Sequence, residues 1–162
     1  MVIEIMEVLS RIERIIKGYS EKGVKIAVAE SCTGGYVSHM LTNISGASKV
    51  FERGIVCYSN QAKISLLGVS SKTIDQYGAV SEQVVEQLAY NIRKNSDVDI
   101  GIGISGIAGP TGGTPEKPVG TVFIGFSTKK DFNIREFHFE ASRIKFKKLV
   151  LDKILDYLEK NL

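Results

Sequence analysis

Ile5, Val8, Leu9, Ile12, Ile15, Ile16 and Tyr19 recur at three- and four-residue intervals. That spacing gathers them on one face of a helix, and Gly23 supplies its stop. The pattern then changes. Val24–Glu30 is short and apolar, as a buried strand is, and a turn over Ser31–Gly35 leads into a helix expected from about Tyr36 to Asn43. Val50–Tyr58 reads as a second strand and Asn60–Leu67 as a short helix closed by Gly68. Ser81 suits an N-cap, with Glu82 near the positive end of the helix dipole, and Val84, Val85, Leu88, Ala89 and Ile92 form that helix's apolar face. Val98–Ser105 and Gly120–Ser127 are strand-like, separated by a loop containing Pro110, Pro115 and Pro118. Asn133–Glu140 alternates, with Phe137 and Phe139 on one face and Glu136, His138 and Glu140 on the other, which suits a strand with one solvated face. A last helix carries Phe146, Leu149, Val150, Ile154 and Tyr157 on one stripe.

Helices alternating with apolar strands predict an α/β protein, a three-layer α/β/α sandwich, and periodicity leaves the strand order open. With 162 residues and no repeat or low-complexity tract, one domain over residues 1–162 is expected. The balance of 21 basic and 18 acidic residues gives +3. This suits a small anionic ligand and is too slight to indicate nucleic acid. The first nineteen positions carry Glu4, Glu7, Arg11, Glu13 and Arg14, unlike a signal peptide, and no segment has the length of a membrane span. Cys32 and Cys57 do not form a C-x-x-C pair. The reading is therefore a reduced cytoplasmic protein without a membrane partner, with a homodimer as the commonest prior for soluble oligomers.

Chemistry enters at Ala29-Glu30-Ser31-Cys32-Thr33-Gly34-Gly35. A serine at the carboxyl end of a buried strand, just before a helix, lies where open α/β sheets place ligands. The glycines permit a sharp turn, and N–H groups there suit an oxyanion. Ser31 or Thr33 is equally suited to capping the helix, so spacing alone leaves both readings open. His39 falls within the following helix and His138 on a solvated strand face, which argues against a Ser-His-Asp triad. A lysine base is the alternative. Lys63, in Tyr58-Ser59-Asn60-Gln61-Ala62-Lys63, follows Asn60 by about one helical turn at another strand-to-helix junction. On spacing alone it is also an ordinary solvated helix lysine.

Residues 101–106, Gly-Ile-Gly-Ile-Ser-Gly, formally match G-x-G-x-x-G. The glycines begin inside an apolar strand and run into a proline-containing loop, whereas a dinucleotide fingerprint opens a helix. The loop itself, Ile107 through Pro118, is long enough to wrap a ligand with backbone N–H groups or to be an idle surface loop. Arg143, Lys145, Lys147 and Lys148 open the last helix, either as a solvated face or as a phosphate contact. No His/Cys/Asp cluster has metal-ligand spacing, and neither a metal nor a cofactor is expected.

Taken together, Ala29–Gly35, Tyr58–Lys63, Gly78-Ala79-Val80-Ser81-Glu82, Ser105-Gly106-Ile107-Ala108-Gly109-Pro110 and Gly112–Val122 closely resemble the CinA C-terminal family, in order along nearly the whole chain. The resemblance implies a three-layer α/β/α sandwich on a mixed, mostly parallel five-stranded sheet. It also implies a nicotinamide-nucleotide amidase, converting nicotinamide mononucleotide to nicotinic acid mononucleotide and ammonia in pyridine-nucleotide salvage. On that resemblance Ser31 is the nucleophile, Lys63 its base and Tyr58 a partner in proton transfer. Thr33, Gly34, Gly35, Asn60, Ser105, Gly106, Gly109 and Arg143 line the substrate site. Members commonly carry Gly-Asp-Arg before the last helix and a further Arg four residues on. Here the stretch is Ala141-Ser142-Arg143, with Lys147 at the later position, a point charge in place of a bidentate fork. Two other readings stay open: a Ser-Lys amidase of another substrate, and a catalytically silent nucleotide-binding or competence- and damage-associated interaction module.

Overall fold

A strand of five fully buried residues, β1 (Ile26–Glu30), lies second in the sheet, between the edge strand β2 (Phe51–Val56) and the central strand β3 (Ile100–Gly106). The order is completed by β4 (Thr121–Ser127) and β5 (Phe132–His138), giving β2-β1-β3-β4-β5. The structure, a computed structural model, describes residues 2–162. β2, β1 and β3 are parallel, and β4 is antiparallel to both of its neighbours. Four of the five strands therefore point the same way, as expected for a mixed, mostly parallel sheet.

The sheet's two faces differ in side-chain size, and that difference sets how closely the helices approach. On one face Ile26, Val28, Ile102, Ile104, Ile124 and Phe126 meet α1 (Val2–Lys22), α2 (Tyr36–Thr42) and α6 (Arg143–Lys160). On the other, Ala27 and Ala29 meet Leu67 of α3 (Asn60–Leu67), Ile74 of α4 (Ser71–Tyr77) and Val84, Leu88 and Ile92 of α5 (Glu82–Ser96). Gly101, Gly103 and Gly125 continue this small-residue face, and α5 lies directly on them. A Cβ at Gly103 would stand 2.7 Å from both Ala89 N and Val85 O, and one at Gly101 would run into the Ala89 carbonyl. The first two glycines of the formal G-x-G-x-x-G match thus make room for a helix, and the third, Gly106, abuts Thr121 and Val122.

Several elements differ from the sequence reading: β2 is shorter than Val50–Tyr58, and a 3-10 turn over Ala47–Lys49 precedes it. The helix α4 has no apolar stripe long enough to announce it, since among its seven residues only Ile74 is buried. The strand β5 runs from Phe132 to His138, so Phe139 and Glu140 lie beyond it, although Phe137 and Phe139 both pack on the core of the α1/α6 face. Among the described residues no helix is long and apolar enough to cross a membrane.

The pairing of α1 with α6 is fixed by Arg11, whose guanidinium donates to Asp152 (2.6 Å), Asp156 (2.7 Å) and Glu159 (2.7 Å). These bonds hold the Glu159 carboxyl below its ordinary 4.5, chiefly through the hydrogen bond from Arg11. Asp152 and Asp156 are more exposed and add less. Arg11→Ala is expected to cost about 1–2 kcal/mol near neutral pH. A carboxyl with a depressed folded-state pKa stabilises above its unfolded value and loses that contribution as pH falls through the folded one. The gap between parent and variant should therefore close as pH drops below 4.5, and urea midpoints measured across that range check it.

Candidate active site

β1 feeds the chain into the crevice where the order of connections reverses. From β1 the chain crosses to β2 on one side, then returns past β1 to β3 on the other. In open parallel sheets the carboxyl ends of the strands at such a switch point hold the ligand. Here those ends carry Ser31 after β1 and the loop from Ile107 to Gly120 after β3.

Ser31 is 7% exposed and Lys63 1%. The Lys63 amine lies 2.9 Å from Ser31 Oγ and donates to the carbonyls of Cys57 at 3.0 Å and Tyr58 at 3.2 Å. Lys63 reaches this position because α3 is capped by Ser59, whose hydroxyl accepts the Ala62 N–H, and turns its fourth residue inward towards the ends of β1 and β2. Burial lowers the Lys63 pKa by penalising its charged form. A neutral amine has two N–H bonds and one lone pair. In that form, N–H bonds to the two carbonyls turn the lone pair towards Ser31 Oγ, whereas the protonated amine donates to all three oxygens; the neutral form suits a nucleophile and its base.

Cys32, the neighbour that competes for the nucleophile's role, is buried, and burial pushes its thiol up to about 12. Near neutral pH it is a thiol and hence a poor nucleophile. Burial likewise raises Cys57.

The turn after Ser31 leaves few of its N–H groups open. The N–H of Gly34 donates to Ser31 O at 3.0 Å and that of Gly35 to Glu30 Oε2 at 3.0 Å. Both glycines are therefore spoken for. Among the described residues, the N–H groups of Cys32 and Thr33 have no protein acceptor. Of the turn's N–H groups, those of Cys32 and Thr33 are therefore the ones left open to a ligand, rather than those of Gly34 and Gly35. Neither Ser31 nor Thr33 caps α2: its N-cap is Gly35, in the left-handed region, and the Thr33 hydroxyl is buried without a partner.

Beside this turn opens a cleft of about 260 Å³, lined by Cys32, Tyr58, Gly106–Gly109, Thr111, Gly112 and Arg143. The Arg143 guanidinium spans it, donating to Tyr58 Oη at 2.6 Å and to the Gly109 carbonyl at 2.8 Å. The Tyr58 phenol is thus held by Arg143, while the carbonyl of Tyr58 is what reaches Lys63. Ser105 is buried and donates to Ala79 O at 2.7 Å, tying β3 to the segment before α5. Asn60 is exposed in the first turn of α3, and its side chain joins no hydrogen bond among the described residues. Lys147, grouped in the sequence with the basic cluster at the start of the last helix, has its amine over the turn after Ser31, 3.4 Å from where a Cβ on Gly34 would sit. His39 and His138 are both exposed. Among the described residues no group of three or more His, Cys, Asp or Glu side chains could hold a metal ion.

Glu30 was quoted in the motif and assigned no role. It is fully buried at the end of an apolar strand. A carboxylate in such a place needs several donors, and that need is the signal in the sequence.

Residues 9–162 match the model of the CinA C-terminal domain. A relative from Caldicellulosiruptor saccharolyticus, whose given name ties it to competence and damage induction, is 46% identical over 150 residues, covering 93% of this chain and 36% of the relative. A CinA-like protein from Kosmotoga olearia is 42% identical with the same coverage of each. The chain thus spans little more than a third of the length of these curated relatives. Among solved structures, a competence/damage inducible protein from Agrobacterium tumefaciens superposes with a TM-score of 0.91 at 34% identity, covering 94% of each chain. A competence-damaged protein (CinA) superfamily protein from Escherichia coli does so with a TM-score of 0.91 at 28% identity, covering 96% of this chain and 90% of that one.

Proposed function

The chain belongs to the CinA C-terminal domain family, and from that premise we propose that it is an amidohydrolase of nicotinamide mononucleotide. The reaction consumes water and yields nicotinic acid mononucleotide and ammonia. The observation that carries this reading is the buried Lys63 amine 2.9 Å from Ser31 Oγ, with its other hydrogen bonds fixed by two carbonyls. Neutral Lys63 takes the Ser31 proton as Oγ attacks the carboxamide carbon. The N–H groups of Cys32 and Thr33 receive the negative charge that develops on the carboxamide oxygen. Lys63 returns the proton to the departing nitrogen, ammonia leaves, and water then hydrolyses the Ser31 ester with the same amine as base.

The cleft beside the turn supports a ligand larger than the amide alone. Backbone groups of Gly106–Gly109 and Gly112 suit ribose hydroxyls and phosphate oxygens. Arg143, with two of its five N–H donors engaged, keeps others for the phosphate. Tyr58 enters this scheme as the partner that orients Arg143, and the proton passes directly between Ser31 and Lys63.

The test is ammonia release from nicotinamide mononucleotide by the parent, Ser31→Ala and Cys32→Ala. Release by the parent and Cys32→Ala, with Ser31→Ala reduced by about 10⁴-fold or more, is the expected result. Release by Ser31→Ala but not Cys32→Ala would reverse the assignment of the nucleophile. A folded parent that releases ammonia from other amides and not from this nucleotide would sink the substrate assignment.

A further inference from the structure

We infer that Glu30 is a positioning residue for Ser31, its carboxylate holding the nucleophile turn in the shape that leaves the Cys32 and Thr33 N–H groups free for the oxyanion. The inference rests on the Ser31–Lys63 reading above and adds to it a residue that touches neither substrate nor base. One carboxylate oxygen accepts the N–H groups of Gly35 at 3.0 Å and Val37 at 3.1 Å. The other accepts the N–H of Ser38 at 2.7 Å and its hydroxyl at 2.6 Å. Four donors on one buried carboxylate fill its accepting positions.

The consequence for the turn follows from its backbone. Gly34 and Gly35 are both in the left-handed region, with φ of 61° and 92°. Two successive glycines give the chain wide conformational freedom, so something else must select this path. Glu30 does so by gripping both ends: it directly precedes Ser31 and binds the far end of the turn at Gly35. Inside that closed loop Gly34 folds back on Ser31 O, which leaves the N–H groups of Cys32 and Thr33 with no protein acceptor. The main chain of Glu30 joins the other half of the site as well. Its carbonyl accepts the Cys57 N–H at 2.8 Å, and the Cys57 carbonyl in turn holds Lys63. One residue therefore sets the nucleophile's turn through its side chain and the base's anchor through its backbone.

Glu30→Gln keeps the size of the side chain and replaces one accepting oxygen with an amide nitrogen that cannot accept. At least one backbone N–H of the turn or of Ser38 loses its partner. Two rates are read: steady-state ammonia release from nicotinamide mononucleotide, and phosphonylation of Ser31 by a fluorophosphonate, in which Oγ displaces fluoride from phosphorus. The second does not depend on the substrate assignment. Ile154→Val, a core change remote from the turn, serves as a control for lost stability. The expected result is a fall of about ten- to a hundredfold in both kcat and the phosphonylation rate, with KM little changed and the control behaving as the parent. Equal phosphonylation of parent and Glu30→Gln would overturn the inference, as would a rise in KM alone. A parent that reacts with the probe no faster than Ser31→Ala would remove the Ser-Lys reading itself, and this inference with it.

Discussion

Lys63→Met is expected to lower kcat/KM by about 10³- to 10⁴-fold while leaving the protein folded. Methionine matches the length of the lysine stem and places no amine in a site whose burial disfavours charge. The carbonyls of Cys57 and Tyr58 lose the donor they share, a local loss that a core of this size tolerates. Lys63→Arg should fail as well, because a guanidinium does not deprotonate and has no lone pair to offer Ser31. The parent's rate should rise with pH as Lys63 sheds its proton, with a midpoint below the ordinary 10.5. Stability carries the same sign. A lysine whose folded pKa lies below its unfolded value binds fewer protons when folded, so stability climbs with pH between the two values and is lowest below the folded one. In Lys63→Met that climb should disappear. Denaturant midpoints and pH–rate profiles on the two proteins read out both effects. A variant that keeps its rate, or a profile unchanged by removing the lysine, would refute the assignment.

Legibility in the sequence followed the range of the forces involved. The periodic segments, α1, α5 and α6 and the apolar strands, were readable because each is decided by which face of a single element is buried. The helix α4 was not, because the six residues around its one buried position, Ile74, carry no apolar period. Ser31 was readable as a position, a serine at a strand end before two glycines. Lys63 as a buried amine beside Ser31 was not, since its surroundings exist only once β2 lies beside β1 and α3 turns inward. Spacing even misled, pairing Lys63 with Asn60, which remains in solvent while Ser59 caps the helix. The motif resemblance supplied what spacing lacked. It did not convey which of the turn's N–H groups are free, because that depends on where a neighbouring carboxylate points. Glu30 was visible all along as a charge closing an otherwise apolar strand.

Gly103→Ala is expected to destabilise the protein by about 3 kcal/mol or more, at the upper end of overpacking, lowering Tm by roughly 6–12 °C for a chain of this size. The added methyl would stand 2.7 Å from Val85 O and Ala89 N and 2.9 Å from Leu88 Cβ. Two of those three atoms are helix backbone, which cannot move aside as a flexible side chain can. Retreat of α5 as a whole would open the contact between Leu88 and Ile92 and the sheet, and that also costs. The two explanations of Gly101-x-Gly103-x-x-Gly106 part at this point. If these glycines made room for a dinucleotide's phosphates, an alanine at 103 would leave Tm near the parent's and weaken nucleotide binding. If they make room for α5, Tm falls with or without ligand. Calorimetry on Gly103→Ala in the absence of any nucleotide decides between them. An unchanged Tm would return the motif to phosphate binding, since nothing in the packing of β3 would then require the glycine.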